Sequence, residues 1–135
     1  MTATGYIVKQ GEPGYPEALH DLSSPPDEIR VRGEVPLAAP TVAIVGARSA
    51  DRWGVKFAHR LASDLVAAGV VVISGGALGI DSAAHLGALD GGGRTLLILA
   101  CGLETDYPKG TGALRARIAE SGAVISAFPD DAKPL

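Results

Sequence analysis

Val70-Val71-Val72-Ile73-Ser74-Gly75-Gly76-Ala77-Leu78-Gly79-Ile80-Asp81-Ser82-Ala83-Ala84-His85 joins an apolar β-like run to a glycine-rich turn and then to a small-residue helical pattern that lasts to Leu89. A strand that empties into such a turn and then into a helix start is an anion site in waiting. The glycines allow close backbone approach, and the first helical N–H groups and the helix dipole favour negative charge. The same grammar occurs upstream, where Val42-Ala43-Ile44-Val45 runs into Gly46-Ala47-Arg48-Ser49. Two such turns in one short chain predict a phosphate-bearing ligand, either a nucleotide or a nucleic-acid strand.

Working outward, the regular pattern begins at Thr41. Strands are predicted at 41–45, 70–74, 95–99 and 123–126. A helix is expected from Arg52 to Ala68, capped by Asp51 and followed by Gly69. Asp81 is expected to cap a second helix that ends before Gly91-Gly92-Gly93, and a third spans about 112–120. Continuous apolar strands alternating with helices require parallel pairing and right-handed crossovers. The fold class is therefore α/β, a Rossmann-like three-layer domain with a mostly parallel sheet of at least four strands. Ligands in such sheets bind at the carboxyl ends of the strands, where Gly46, Gly75, Gly102 and Phe128 fall.

Residues 1–40 read differently. They hold six of the nine prolines, with a short helix start at Tyr15-Pro16 and a strand-like alternation over Ile29–Gly33. We read 1–40 as a proline-rich N-terminal arm packed on a main domain of residues 41–135.

Composition narrows the function. The 135 residues suffice for one domain, and 47% are hydrophobic. A net charge of −3 argues against a protein that coats nucleic acid non-specifically, while leaving room for a local basic site. The lone Cys101 excludes an internal disulfide and fits a reducing cytoplasm. With no leader-like N-terminus and no apolar run of about 18 residues, the chain reads as soluble, cytoplasmic and free of membrane association.

Arg48, Ser49, Gly46, Ser74, Gly75, Gly76 and Gly79 are the candidate phosphate contacts, with Arg52 and Lys109 as further counter-charges. Asp81 and His85 read as structural, Trp53 as a helix-start packing residue, Cys101 as a buried small hydrophobe, and Arg115 and Arg117 as a solvated helix face. There is no nucleophile elbow, no Walker-type Gly-Lys-Ser/Thr and no metal-ligand spacing. Hence no catalytic residue, metal or cofactor is expected. The Pro-Gly-Gly-x-Gly-Thr-x-x-Glu motif of the lysine-decarboxylase-like phosphoribohydrolases is also missing.

Six ordered motifs resemble the DNA-processing protein A (DprA/Smf) family. They are Tyr15-Pro16 with Pro25-Pro26 and Val31-Arg32-Gly33; Ala43–Arg48; Trp53-Gly54; Ser74–His85; Cys101–Pro108; and Gly122–Pro129. The resemblance implies a Rossmann-like fold that binds single-stranded DNA without sequence readout, loads the RecA recombinase and forms homo-oligomers in DNA uptake and recombination. It places Arg48 on phosphate, Gly75, Gly76 and Gly79 at the pocket floor, and Tyr107-Pro108-Lys109 in one wall. Glu104 stands where the family usually has Asp, and Ala127 where it usually has Glu. The family's domain runs past the equivalent of Pro129, so the chain reads as a shortened member or an N-terminal portion. A small nucleotide-binding protein or nucleotide-hydrolysing enzyme of the same superfamily remains the alternative.

Overall fold

The computed structural model describes residues 5–134. Four strands run parallel: β3 (Thr41–Ala43), β4 (Val71–Gly75), β5 (Thr95–Leu99) and β6 (Ala123–Ser126). Two more, β1 (Tyr6–Lys9) and β2 (Glu28–Gly33), extend the sheet antiparallel beyond β6. The full order is β1-β2-β6-β5-β4-β3. Backbone pairing therefore ties the N-terminal arm to the main sheet, with Val31 opposite Ile125.

Sequential parallel strands that step in one direction with right-handed crossovers place every crossover helix on one face. Helices α1 (Arg52–Ala67), α2 (Ile80–Asp90) and α3 (Gly112–Ser121) are those crossovers. Alternation along the strands separates the two faces. Val72 packs with Ile44, Ala58, Ala62, Ala83, Ala84 and Ala88 under α1 and α2. Leu97 and Val124 pack with Leu99, Cys101, Leu103 and Ile118 under α3. On the other face, Val71, Leu96 and Ile125 meet Val8, Tyr15, Ile29 and Val31, with Leu19, Val35 and Ala39 against them. The third layer is thus the proline-rich segment, which covers the sheet with the 3-10 turn Glu17–Asp21 and Tyr15, whose hydroxyl donates to the Pro26 carbonyl at 2.7 Å. Burying each such Val, Leu or Ile side chain contributes about 1.5–3 kcal/mol.

The helix boundaries follow local chemistry. Asp51 accepts from the Gly54 amide at 2.7 Å and starts α1. The run of Ala83, Ala84, Gly87 and Ala88 lets α2 lie close to α1, where a Cβ on Gly87 would collide with the His59 backbone. Three sequence expectations are corrected. β3 ends at Ala43 rather than Val45, because after Ile44 the chain turns away into the first loop. Gly79, not Asp81, occupies the α2 cap position, and Asp81 sits in the first helical turn. Trp53 does not pack at the start of α1 but is 77% exposed.

Candidate nucleic-acid interface

The loops after β3 and β4 meet at the carboxyl edge of the sheet. Ile80 N–H donates to the Ala47 carbonyl at 3.2 Å, and this bond fixes one loop against the other. Gly79 makes the joint possible. Its φ is +85°, and a Cβ there would lie 2.5 Å from the carbonyl oxygens of both Ala47 and Arg48. Gly46 is required by close approach instead, since its Cβ would strike the Ile80 side chain at 2.7 Å. The same joint corrects one expectation: the Ile80 amide at the start of α2 is already occupied by protein and is not free for an anion.

A cavity of about 450 Å3 opens beside this joint. Arg48 and Ser49 from the first loop, and Gly75, Gly76 and Ala77 from the second, line it together. Its remaining walls are largely apolar and come from Leu78, Ile98, Leu99, Tyr107 and Pro108. Four of the nine predicted contacts therefore converge on one space. Gly46 and Gly79 stand behind it as loop-formers. Arg52, exposed in the first turn of α1, and Lys109, exposed just past the Tyr107-Pro108 wall, do not line the cavity.

Ser74 is corrected to a structural role. Its hydroxyl is buried and donates to the Ile44 carbonyl, so its one proton ties β4 to the segment after β3. Asp81 also lines the cavity, buried, with Oδ1 lacking any hydrogen-bond partner. Its other oxygen lies 2.7 Å from where a Cβ on Gly75 would stand. An oxyanion in the cavity is repelled from that side and drawn toward Arg48 and Ser49. His85, one turn further along α2, reaches the Gly75 carbonyl with Nε2 at 2.9 Å and Thr95 Oγ1 with Nδ1 at 2.7 Å. Burial lowers its pKa from the ordinary 6.5, outweighing the opposing pull of the Gly75 carbonyl and Asp81.

The third loop, 101–111, is held by a residue read from the sequence as solvated. Arg115 is buried, and its guanidinium donates to the carbonyls of Thr105 and Tyr107. Its partners lie eight and ten residues back along the chain, outside the reach of any helical periodicity. Ser126 Oγ donates to the Cys101 carbonyl, and Thr111 Oγ1 to that of Pro108, at 2.7 and 2.8 Å. Cys101 is buried as expected.

The family model described as DNA recombination-mediator protein A matches residues 6–135. The chain belongs to that family. Among curated relatives, DNA processing protein DprA of Mycobacterium tuberculosis is 43% identical over 98 residues, covering 73% of this chain and 25% of the relative. That of Streptococcus pneumoniae is 34% identical over 122 residues, covering 90% of this chain and 43% of the relative. The chain thus spans less than half the length of either. The X-ray structure of the pneumococcal family member superposes with a TM-score of 0.87 at 30% identity, covering 96% of this chain and 46% of that one. The Helicobacter pylori family member, solved for insight into its single-stranded DNA binding mode, superposes at 0.84 and 29%, covering 97% and 59%. This chain accordingly shares the Rossmann-like fold of those family members. Among the described residues no helix is long and apolar enough to cross a membrane.

Proposed function

We propose that this chain binds single-stranded DNA through its phosphates at the cavity between the first two crossover loops. The observation that carries the reading is the convergence of Arg48, Ser49, Gly75 and Gly76 on that one space. Arg48 supplies a forked cation and Ser49 a hydroxyl, while Gly75 and Gly76 leave the backbone uncovered. Arg52 and Lys109 steer the strand from the rim. With a net charge of −3, attraction comes from this local cluster rather than from the whole surface. Phosphate contact carries no sequence information, so binding is indifferent to base order. In this reading the chain works in the cytoplasm in DNA uptake and recombination, hands its strand to RecA, and catalyses no covalent step. The family membership and the Helicobacter pylori relative support it.

The test is fluorescence anisotropy with labelled oligo-dT, run beside AMP, ATP and NAD with assays for released base or phosphate. Oligomer binding should weaken steeply with salt and drop about tenfold in Arg48→Ala, the loss of one charge-assisted phosphate contact. Turnover of a mononucleotide, or oligomer binding untouched by Arg48→Ala and by salt, overturns the reading.

A further inference from the structure

Phosphate chemistry accounts for only part of the cavity between the first two crossover loops. Leu78, Ile98 and Tyr107 line it beside Pro108 and are 52%, 44% and 42% exposed. A phosphate gains nothing from such walls. Asp81 lines the same space and is 7% exposed, and its Oδ1 has no hydrogen-bond donor. The donors beside it are committed elsewhere. The Ser82 hydroxyl goes to the Ala77 carbonyl at 2.8 Å, and His85 Nε2 goes to the Gly75 carbonyl at 2.9 Å. Arg48 lines the cavity too, yet no ion pair among the described residues joins it to Asp81. An ionised carboxylate only accepts, and leaving one buried without a donor is costly. A ligand that completes this cavity brings flat apolar faces, and N–H groups set apart from its own negative charge.

We propose that the cavity takes one whole nucleotide of the strand, with its base against the apolar walls, its Watson–Crick edge on Asp81 and its phosphate on Arg48 and Ser49. This rests on the reading of the chain as a binder of single-stranded DNA, to which it adds the base. The volume of about 450 Å3 falls within the range of roughly 300–1,000 Å3 that small-molecule sites occupy. Tyr107 and the aliphatic walls suit any base, since every base has a π-face. Asp81 is equally undiscriminating. Thymine offers N3–H, guanine N1–H, adenine N6–H and cytosine N4–H, so a lone acceptor finds a donor on each. Binding therefore stays indifferent to base order. What Asp81 selects is an unpaired base, because in a duplex that edge is turned to the partner strand. The carboxylate that repels a phosphate is thus the residue that tells a single strand from a double one.

Fluorescence anisotropy with oligo-dT and an equally long oligomer of N3-methylthymidine tests this. The methyl group replaces the one N–H of thymine and leaves every phosphate in place. The unaltered protein should bind the methylated strand roughly tenfold more weakly, the loss of one hydrogen bond to a charged acceptor. An oligomer of abasic residues should bind no better than the methylated one. Asp81→Ala should bind oligo-dT and the methylated strand equally, with circular dichroism reporting that the variant folds. Equal affinity of the unaltered protein for oligo-dT and either modified strand overturns the proposal, and that comparison needs no variant. A preference for oligo-dT that persists undiminished in folded Asp81→Ala overturns it as well. Each of these results leaves the salt dependence and the effect of Arg48→Ala as they were, so the DNA reading stands or falls separately.

Discussion

Two loops at the same edge of the sheet are built in opposite ways. The loop after β3, residues 44–51, touches the protein through its backbone: Ala47 accepts from Ile80, the Ala47 and Arg48 carbonyls crowd Gly79, and Arg48 and Ser49 stay exposed. The loop after β5, residues 101–111, is tied from beneath by side chains, with Arg115 on two of its carbonyls and Ser126 and Thr111 on two more. A buried guanidinium spent on carbonyls makes a stiff wall. A guanidinium on a backbone-anchored loop remains available to an incoming anion. The residue type is the same, and burial decides which task it performs.

Substitutions can break this contrast in a definite order of size. Gly79→Val should cost most, about 4 kcal/mol, because it forces a β-branched residue to a φ of +85° against two carbonyl oxygens. Chemical denaturation reads the loss, and DNA affinity should fall with it as the first loop lifts. Arg115→Ala should follow at about 3 kcal/mol, since it leaves buried carbonyls without donors. Here the expected signature is a loosened wall, detected as faster amide exchange over 101–111 while 44–51 is unchanged. Ser74→Ala should cost about 1–2 kcal/mol, the worth of one buried hydrogen bond and its orphaned acceptor. If it abolished DNA binding at unchanged stability, the structural role given to Ser74 would be wrong. Arg48→Ala stands at the other extreme, with stability altered by less than about 0.5 kcal/mol and only the affinity affected.

His85 sharpens the comparison along a pH axis. Burial lowers its folded-state pKa, so the native ring resists a proton that the unfolded chain accepts near pH 6.5. Its contribution to stability is therefore complete above about pH 6.5 and declines as pH falls below it. A His85→Gln variant should lose that part of the acid slope in denaturation curves taken from pH 7.5 to 5.5, although its stability at neutral pH is lower.

The sequence carried the strands and crossovers because both signals are local. Continuous Val/Ile/Leu runs mark β4, β5 and β6, and Asp51 and Gly69 bracket α1 within a residue or two. Convergence of Arg48 and Ser49 with Gly75 and Gly76 was legible for the same reason, since strand ends in a parallel sheet meet at one edge. What stayed hidden depends on distant partners. Arg115 looks solvated in any helical projection, and only the folded position of the Thr105 and Tyr107 carbonyls makes it a buried anchor. Ser74 reads as a hydroxyl beside a phosphate loop until the Ile44 carbonyl, thirty residues away, claims its proton. Trp53 reads as packing because an aromatic at a helix start normally has something to pack on. In the fold nothing among the described residues covers it, and it stays exposed. Apolar cavity walls such as Ile98 gave no signal, for a strand residue at 44% exposure has the same letter as one in the core.

The neutral ring of His85 donates from Nε2–H to the Gly75 carbonyl and accepts the Thr95 hydroxyl proton at Nδ1. Gly75 borders the cavity, whereas Thr95 lies wholly in the interior. The imidazole is thus wired to both, an indicator placed by the fold itself. In isotope-enriched protein its nitrogen-15 resonances give a gauge of occupancy, readable without attaching a dye anywhere near the ligand.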